Sequence, residues 1–212
     1  MADDLNYGYK GADVPQSFGN NKGVFDPSDI NNLVKDDKWT NYGQLELIET
    51  KVITGDPSSV SLDDLGTGYN VHFITFTNMH TDDNRDQNLR VKVGGVTQTS
   101  SSYGRAFRVS NSAGGYDDKD ATLDRLRILA EVGNATGECW TGSLYMYNAL
   151  DSSKYTFFTT NNVFISFHPY FSSSFGSGSY NVSNVLSGLE FYPSSSVQRS
   201  GTISLYGIKE YS

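Results

Sequence analysis

The residues able to do chemistry are few and scattered. His72, His80 and His168 are the only imidazoles in a chain of 212 residues. No two of them stand at HxH or HExxH spacing, which would aim both rings at one zinc ion. They read as surface or hydrogen-bonded core histidines. Asp82, Asn84 and Asp86 have the spacing of the first three ligands of a calcium loop. Position 87 is Gln, where a glycine turns such a loop, and position 93 is Val, where a bidentate Glu closes it. Lectin-like sandwiches use irregular calcium loops, so 82–86 and the acidic stretch Asp117, Asp118, Asp120 stay open as cation loops. Solvated charge is the simpler reading of both.

Hydrolysis of a glycosidic bond needs two carboxylates flanking a cleft. Glu46, Glu49, Glu131, Glu138 and Glu190 all fall in or near strand patterns, and nothing in their spacing nominates a pair. Glu46 and Glu49 point to opposite faces of a regular strand. No GxSxG elbow occurs, and GTGYN and FGSGS do not sit between a strand and a helix as a phosphate loop must. Cys139 is the single cysteine, read as a small buried hydrophobe, and it excludes an intrachain disulfide. The expectation is a non-enzyme with no metal and no cofactor. Sugars stack on exposed aromatic rings, so Trp140, Tyr116 and Tyr180 are the candidate glycan contacts, with Trp39 and Tyr103 also beside loops. The competing reading packs both tryptophans inside.

The elements that would position these residues are strands. Charged residues make up 19% of the chain, and Ser, Thr, Asn, Gly and Tyr take their place, a mixture that suits strands and turns. A chain of this length buries roughly 70% of its unfolded surface without a staple. The net charge of −8 argues against nucleic acid as a partner. No apolar run reaches a membrane span, and MADDLNYGYK lacks the order of a signal peptide, so synthesis in a reducing cytoplasm is expected.

Residues 1–25 read as an extended arm, rich in Gly and Asn, with Tyr7, Tyr9, Phe18 and Phe25 as adhesive aromatics. Residues 26–38 read as a short helix and connector: Asp26 caps, Pro27 opens, and Ile30, Leu33 and Val34 recur at helical spacing. From 39 to 212 the period is two. GQLELIETKVIT carries two alternations joined by a bulge, and YNVHFITFTNM is apolar on both faces, which implies that both are covered. NLRVKV turns at Gly94-Gly95 into the next strand, NSAGGYDDKDAT reads as a loop, and LDRLRILAEV as a strand. GSLYMYNAL, KYTFFTT, NVFISFHPYF, NVLSGLEFYP and GTISLYGIK bring the count to about ten. GLEFYP and GTISLYGIK read as a hairpin with Ile203 and Leu205 inward, Ser204 and Tyr206 outward, and Gly207 at a bulge or close approach. The fold class is therefore all-β, an antiparallel, jelly-roll-like β-sandwich with an extended N-terminal arm and one short helix.

SGTISLYGIK after GLEFYPSSSVQ resembles the C-terminal signature of small virion structural proteins of tailed phages, especially those of aquatic bacteria. NYGYKGADVPQSFGNNKGVFDPSDINNLVKDDKW, GNAT and LYMYNALDSSKYTFFT are similar to the same family. The resemblance implies a capsid-decorating or tail-associated virion component, made in the host cytoplasm, with capsid or tail subunits as partners. It implies anchoring through Tyr7, Tyr9, Phe18, Phe25, Ile30 and Leu33, and a closed homo-oligomer such as a trimer. The alternative is a receptor- or glycan-binding module on the virion tail. Neither reading calls for nucleic acid or a membrane.

Overall fold

The computed structural model describes residues 27–35 and 45–209. The chain divides into two compact units, residues 1–44 with 211–212, and residues 45–210. The described part of the first is one helix, α1 (Pro27–Lys35). Pro27 lacks an N–H where a helix needs none, Ile30 and Leu33 share a face, and Lys35 meets the negative end of the dipole. The expected cap, Asp26, and the arm 1–25 lie outside the described residues, as does Trp39.

The second unit is built of thirteen strands: β1 (Leu45–Val52), β2 (Val60–Leu62), β3 (Val71–Thr81), β4 (Arg85–Val93), β5 (Val96–Thr97), β6 (Tyr103–Asn111), β7 (Gly114–Leu123), β8 (Leu126–Val132), β9 (Trp140–Tyr147), β10 (Thr156–Ile165), β11 (Phe171–Tyr180), β12 (Gly188–Pro193) and β13 (Gln198–Ile208). Every strand pairing is antiparallel. One sheet has eight strands in the order β1-β13-β3-β9-β10-β11-β6-β7. The other runs β2-β12-β4-β5, with β8 also paired to β4. The two sheets pack as a β-sandwich, and the short helix is the only one among the described residues.

Directly opposed residues on paired strands share a face, so the register spells out the inner surface. Leu205 opposes Ile74, Ile74 opposes Leu144, Leu144 opposes Thr160, and the row continues through Gly176 to Phe107. Leu205, Ile74 and Leu144 are fully buried. The five-stranded sheet supplies the other half of the core through Leu62, Leu89, Val91, Leu189 and Phe191. Phe76 joins the halves, with its ring 4.8 Å from Trp140 and 5.1 Å edge-on from Phe191. Buried Asn162 of β10 does the same with a hydrogen bond, donating from Nδ2 to the Ile128 carbonyl of β8 at 3.1 Å.

Several strand expectations change. The bulge in β1 falls between Leu47 and Glu49 and places Glu46 and Glu49 both opposite inward positions, Gly207 and Leu205, rather than on opposite faces. The stretch read as a loop contains β7, a hairpin partner of β6 turning through Ser112-Ala113; its acidic side chains hid the alternation. KYTFFTT and NVFI join into the single strand β10, and the serine-rich FSSSFGSGSY forms β11, which apolar periodicity does not reveal. GLEFYP and GTISLYGIK do not form a hairpin. β12 pairs with β2 and β4, while β13 pairs with β1 and β3 in the other sheet, so the connection crosses the sandwich. Gly94 and Gly95 do turn the chain, both at positive φ, into β5.

Gly207 is a close-approach point in β13, with no register shift beside it. A β-carbon there would overlap the Tyr69 ring, which lies across it. The Tyr69 hydroxyl donates to Glu46 of β1 at 2.5 Å. That bond to a carboxylate, followed by burial, pushes the phenol up to about 12. Beneath Tyr69, fully buried His72 donates from Nε2 to the Leu65 carbonyl at 2.8 Å, and desolvation holds its pKa below the usual imidazole value. Tyr69 thus plugs one end of the sandwich, resting on a glycine and bonded across to the edge strand.

Gly207→Ala should displace the Tyr69 ring and cost about 1–3 kcal/mol, read as a lower urea midpoint with the m-value unchanged. His72 sets a pH dependence. Above the unfolded imidazole pKa of about 6.5 it contributes nothing, because both states are neutral. As pH falls below that value the unfolded chain takes a proton that the folded chain refuses, so stability should fall toward the lowered folded pKa. His72→Gln should flatten that part of the melting-temperature profile; an unaltered profile would show that His72 is not its source.

Candidate interaction face

The outer surfaces of the two sheets have opposite chemistry. On the five-stranded sheet, Arg90 of β4 pairs with Asp124 at 2.5 Å and lies over the Tyr192 ring. Lys92 pairs with Asp63 at 2.6 Å. At the side of the sandwich, Asp118 of β7 receives Arg105 through one carboxylate oxygen at 2.8 Å and Arg127 of β8 through the other at 2.5 Å. Arg127 also reaches Asp86 of β4 at 2.8 Å. This chain of charge ties the edge of one sheet to the other, with Asp118 only 11% exposed.

The outer face of the eight-stranded sheet carries two apolar rows instead. Leu45, Ile208, Val71, Tyr147 and Phe157 are successive cross-strand partners from β1 to β10. Leu47, Tyr206, Phe73 and Tyr145 form the next row. Leu47 is 61% exposed, Leu45 52% and Phe157 47%. Phe73 lies 4.7 Å from Tyr145 and 6.2 Å from Tyr206, with rings tilted by 40° and 37°. Two further rows are mostly hydroxylic: Thr50, Ser204, Thr75, Ser143 and Asn161, then Val52, Thr202, Thr77, Thr141 and Val163. β11 extends the four rows with Ser179, Ser177, Phe175 and Ser173.

With Thr159 of β10 completing the second row, these four rows across six strands, from β1 to β11, hold twenty-four outward positions, and none is charged. At the chain's 19% overall content, about four or five charges would fall there by composition alone. Charge returns only at the far side, where Arg108 of β6 pairs with Asp117 of β7 at 2.8 Å. The expectation that both faces of β3 are covered holds for one. Ile74 and Phe76 are buried under the second sheet, whereas Val71 and Phe73 are shielded only by their lateral neighbours among the described residues. The signal for this face was therefore legible in YNVHFITFTNM, but its extent needed the register.

The other nominated residues separate. Trp140 and Tyr180 are each 1% exposed and belong to the core, so neither offers a ring to a sugar. Tyr103 is fully buried; its hydroxyl donates to the Gln98 carbonyl and accepts from the Val91 N–H. Tyr116, 37% exposed, lies on edge strand β7, away from the other two aromatics in sequence and role. Ile30 and Leu33 are half-buried on α1, and Tyr7, Tyr9, Phe18 and Phe25 lie outside the described residues. Asp82 pairs with Arg199, Asp83 with Arg85 and Asp86 with Arg127, so the 82–86 carboxylates are directed to separate cations. Among the described residues no three His, Cys, Asp or Glu side chains converge as metal ligands. Cys139 is half-exposed rather than a core hydrophobe. His80 contacts the Asn134 carbonyl at 3.2 Å, and His168 stacks on Phe167 at an exposed turn. No helix among the described residues is long and apolar enough to cross a membrane.

Comparison with protein-family models, curated proteins and solved structures yields no match to this chain. Its class is that of its fold, an antiparallel β-sandwich whose five-stranded sheet is charged outside and whose eight-stranded sheet is uncharged outside in the four rows from β1 to β11.

Asp118→Ala should leave Arg105 and Arg127 facing each other without their shared carboxylate. The expected loss is about 2 kcal/mol in urea unfolding, short of the 3–5 kcal/mol of a fully buried pair because Arg127 is 25% exposed. An effect below about 0.5 kcal/mol would show that solvent already screens the clasp.

Proposed function

We propose that this chain is a non-enzymatic structural component of a tailed-phage virion, capsid-decorating or tail-associated, that is fastened to the particle through its N-terminal region and displays the sandwich. The observation that carries this reading is the division of the chain at Leu45. Among the described residues the buried core lies between Ile53 and Leu205, so the sandwich builds its interior from its own strands. Residues 1–44 belong to the other unit. Their aromatic and glycine-rich composition, with Ile30 and Leu33 on one face of α1, suits docking onto a neighbouring subunit by aromatic burial. The likeness of both ends of the sequence to virion structural proteins gives that neighbour its identity: capsid or tail subunits, with further copies of this chain beside them.

The uncharged sheet supports the same class of role. Catalytic and small-molecule sites gather a few converging polar groups in a concavity, whereas this surface offers rows of rings, methyls and hydroxyls suited to another protein surface. The glycan-binding alternative rested on Trp140, Tyr116 and Tyr180, two of which fill the core.

Deletion of residues 1–25 should abolish incorporation into particles while the purified sandwich keeps its melting temperature. Normal incorporation of the truncated protein, measured by quantitative mass spectrometry of purified virions, would refute the anchoring role.

A further inference from the structure

We propose that the uncharged outer face of the eight-stranded sheet is the interface between two copies of this chain, packed face to face about a two-fold axis that runs along β3. The inference stands on the register and the charge distribution and does not need the virion reading.

The size of the face fits the occupant. The five strands β1 to β10 that an axis along β3 sets against their own image, about 4.8 Å apart and each with four outward residues about 6.8 Å apart, cover about 650 Å². Two such faces bury about 1,300 Å² in total, inside the range of about 1,200–2,000 Å² for specific interfaces. The two apolar rows on five strands account for only about 330 Å² of it, so the hydroxyl rows belong to the interface as well.

Charge selects a copy of the same chain over a partner of opposite sign. The molecule carries −8, so two copies repel through most of their surfaces and can approach closely only where charge is absent. A basic partner would find no carboxylate to pair with on these twenty-four positions. Serine, threonine and tyrosine hydroxyls both donate and accept, so such a surface can satisfy its own image.

Symmetry fixes the axis. Bringing identical faces together requires a two-fold lying in the plane between them. An axis across the strands would set the first apolar row against the hydroxylic fourth row. An axis along the strands keeps each row against itself, and β3 is the central strand of the five that carry the apolar rows. Val71 then opposes Val71, Phe73 opposes Phe73, Leu45 opposes Phe157, and Tyr206 opposes Tyr145. Two sheets meeting this way pack in the aligned mode, about 10 Å apart.

Sedimentation of the full-length chain at micromolar concentration should give a dimer. Phe157→Lys and, separately, Asn161→Lys place a charge at exposed outward positions, and each should weaken association by at least ~10-fold with an unchanged circular dichroism spectrum. Thr75 sits on β3 beside the axis, so Thr75→Cys in a Cys139→Ser background should be captured as a covalent dimer by a short bismaleimide. A monomeric full-length chain, or an oligomer that both lysine variants leave intact, overturns the interface. An oligomer that the lysines dissociate but Thr75→Cys fails to cross-link overturns the axis along β3.

Discussion

Side chains on a strand alternate between two faces, and a one-residue slip of register exchanges those faces entirely. The eight-stranded sheet lives under that constraint. The row from Leu205 through Ile74 and Leu144 must stay inward, because these residues supply the centre of the core. Every other feature of the sheet follows from holding that row in place. The bulge between Leu47 and Glu49 lets an edge strand with two offset alternations remain paired to β13. The shift between Phe76 and Met79 does the same for β3 against β9, keeping Met79 and Trp140 in the core beside each other. The Tyr69 ring on Gly207 and the Asn162 bond to Ile128 then tie the inward face to the elements that cover it.

Once the inward row is fixed, the outward one is fixed too. The residues between Leu205, Ile74 and Leu144 in sequence are Ser204, Tyr206, Phe73, Thr75, Ser143 and Tyr145, and they have no freedom to turn inward. Their chemistry is therefore selected for the surface they make. On the five-stranded sheet the same logic leaves Arg90, Lys92 and Asp86 outside, each neutralised by a partner on a neighbouring strand or loop. The difference between the two surfaces cannot come from folding, since both sheets bury their inner faces against each other. Two sides of one sandwich that differ so sharply in charge fit the proposed pairing, in which one faces solvent and the other a second copy of the chain.

The sequence made the sandwich legible because alternation and turn chemistry agree over most of the chain. Gly94-Gly95, the offset in LELIETKV and the double-faced VHFITF each announced what the structure contains. Three things were hidden. β7 and β11 carry polar or small residues where alternation would be read, and they are strands because β6 lies between them and satisfies both backbones. Which sheet a strand joins does not appear in its own pattern, so β12 and β13, though neighbours in sequence, were placed side by side when they face each other across the core. The depth of an aromatic is set by its parity within a strand. Trp140 opens β9 on the inward parity and Tyr180 ends β11 on the same one, whereas Tyr145 and Phe175 fall on the other. Loop proximity therefore nominated the wrong rings.

Like-charged subunits can be brought together by counterions, by a partner of opposite charge, or by leaving one surface uncharged. The first two make association depend on the surrounding salt or on stoichiometry with another protein. The third costs solubility of the isolated chain, because an apolar patch stays exposed until it is covered. Here the two apolar rows take up the strand ends nearest Leu45, and the wider hydroxylic rows hydrate the rest of the face before assembly. In the proposed pairing such a sandwich meets its own kind on one side and water on the other, and the alternation that builds its core is what holds those two surfaces apart.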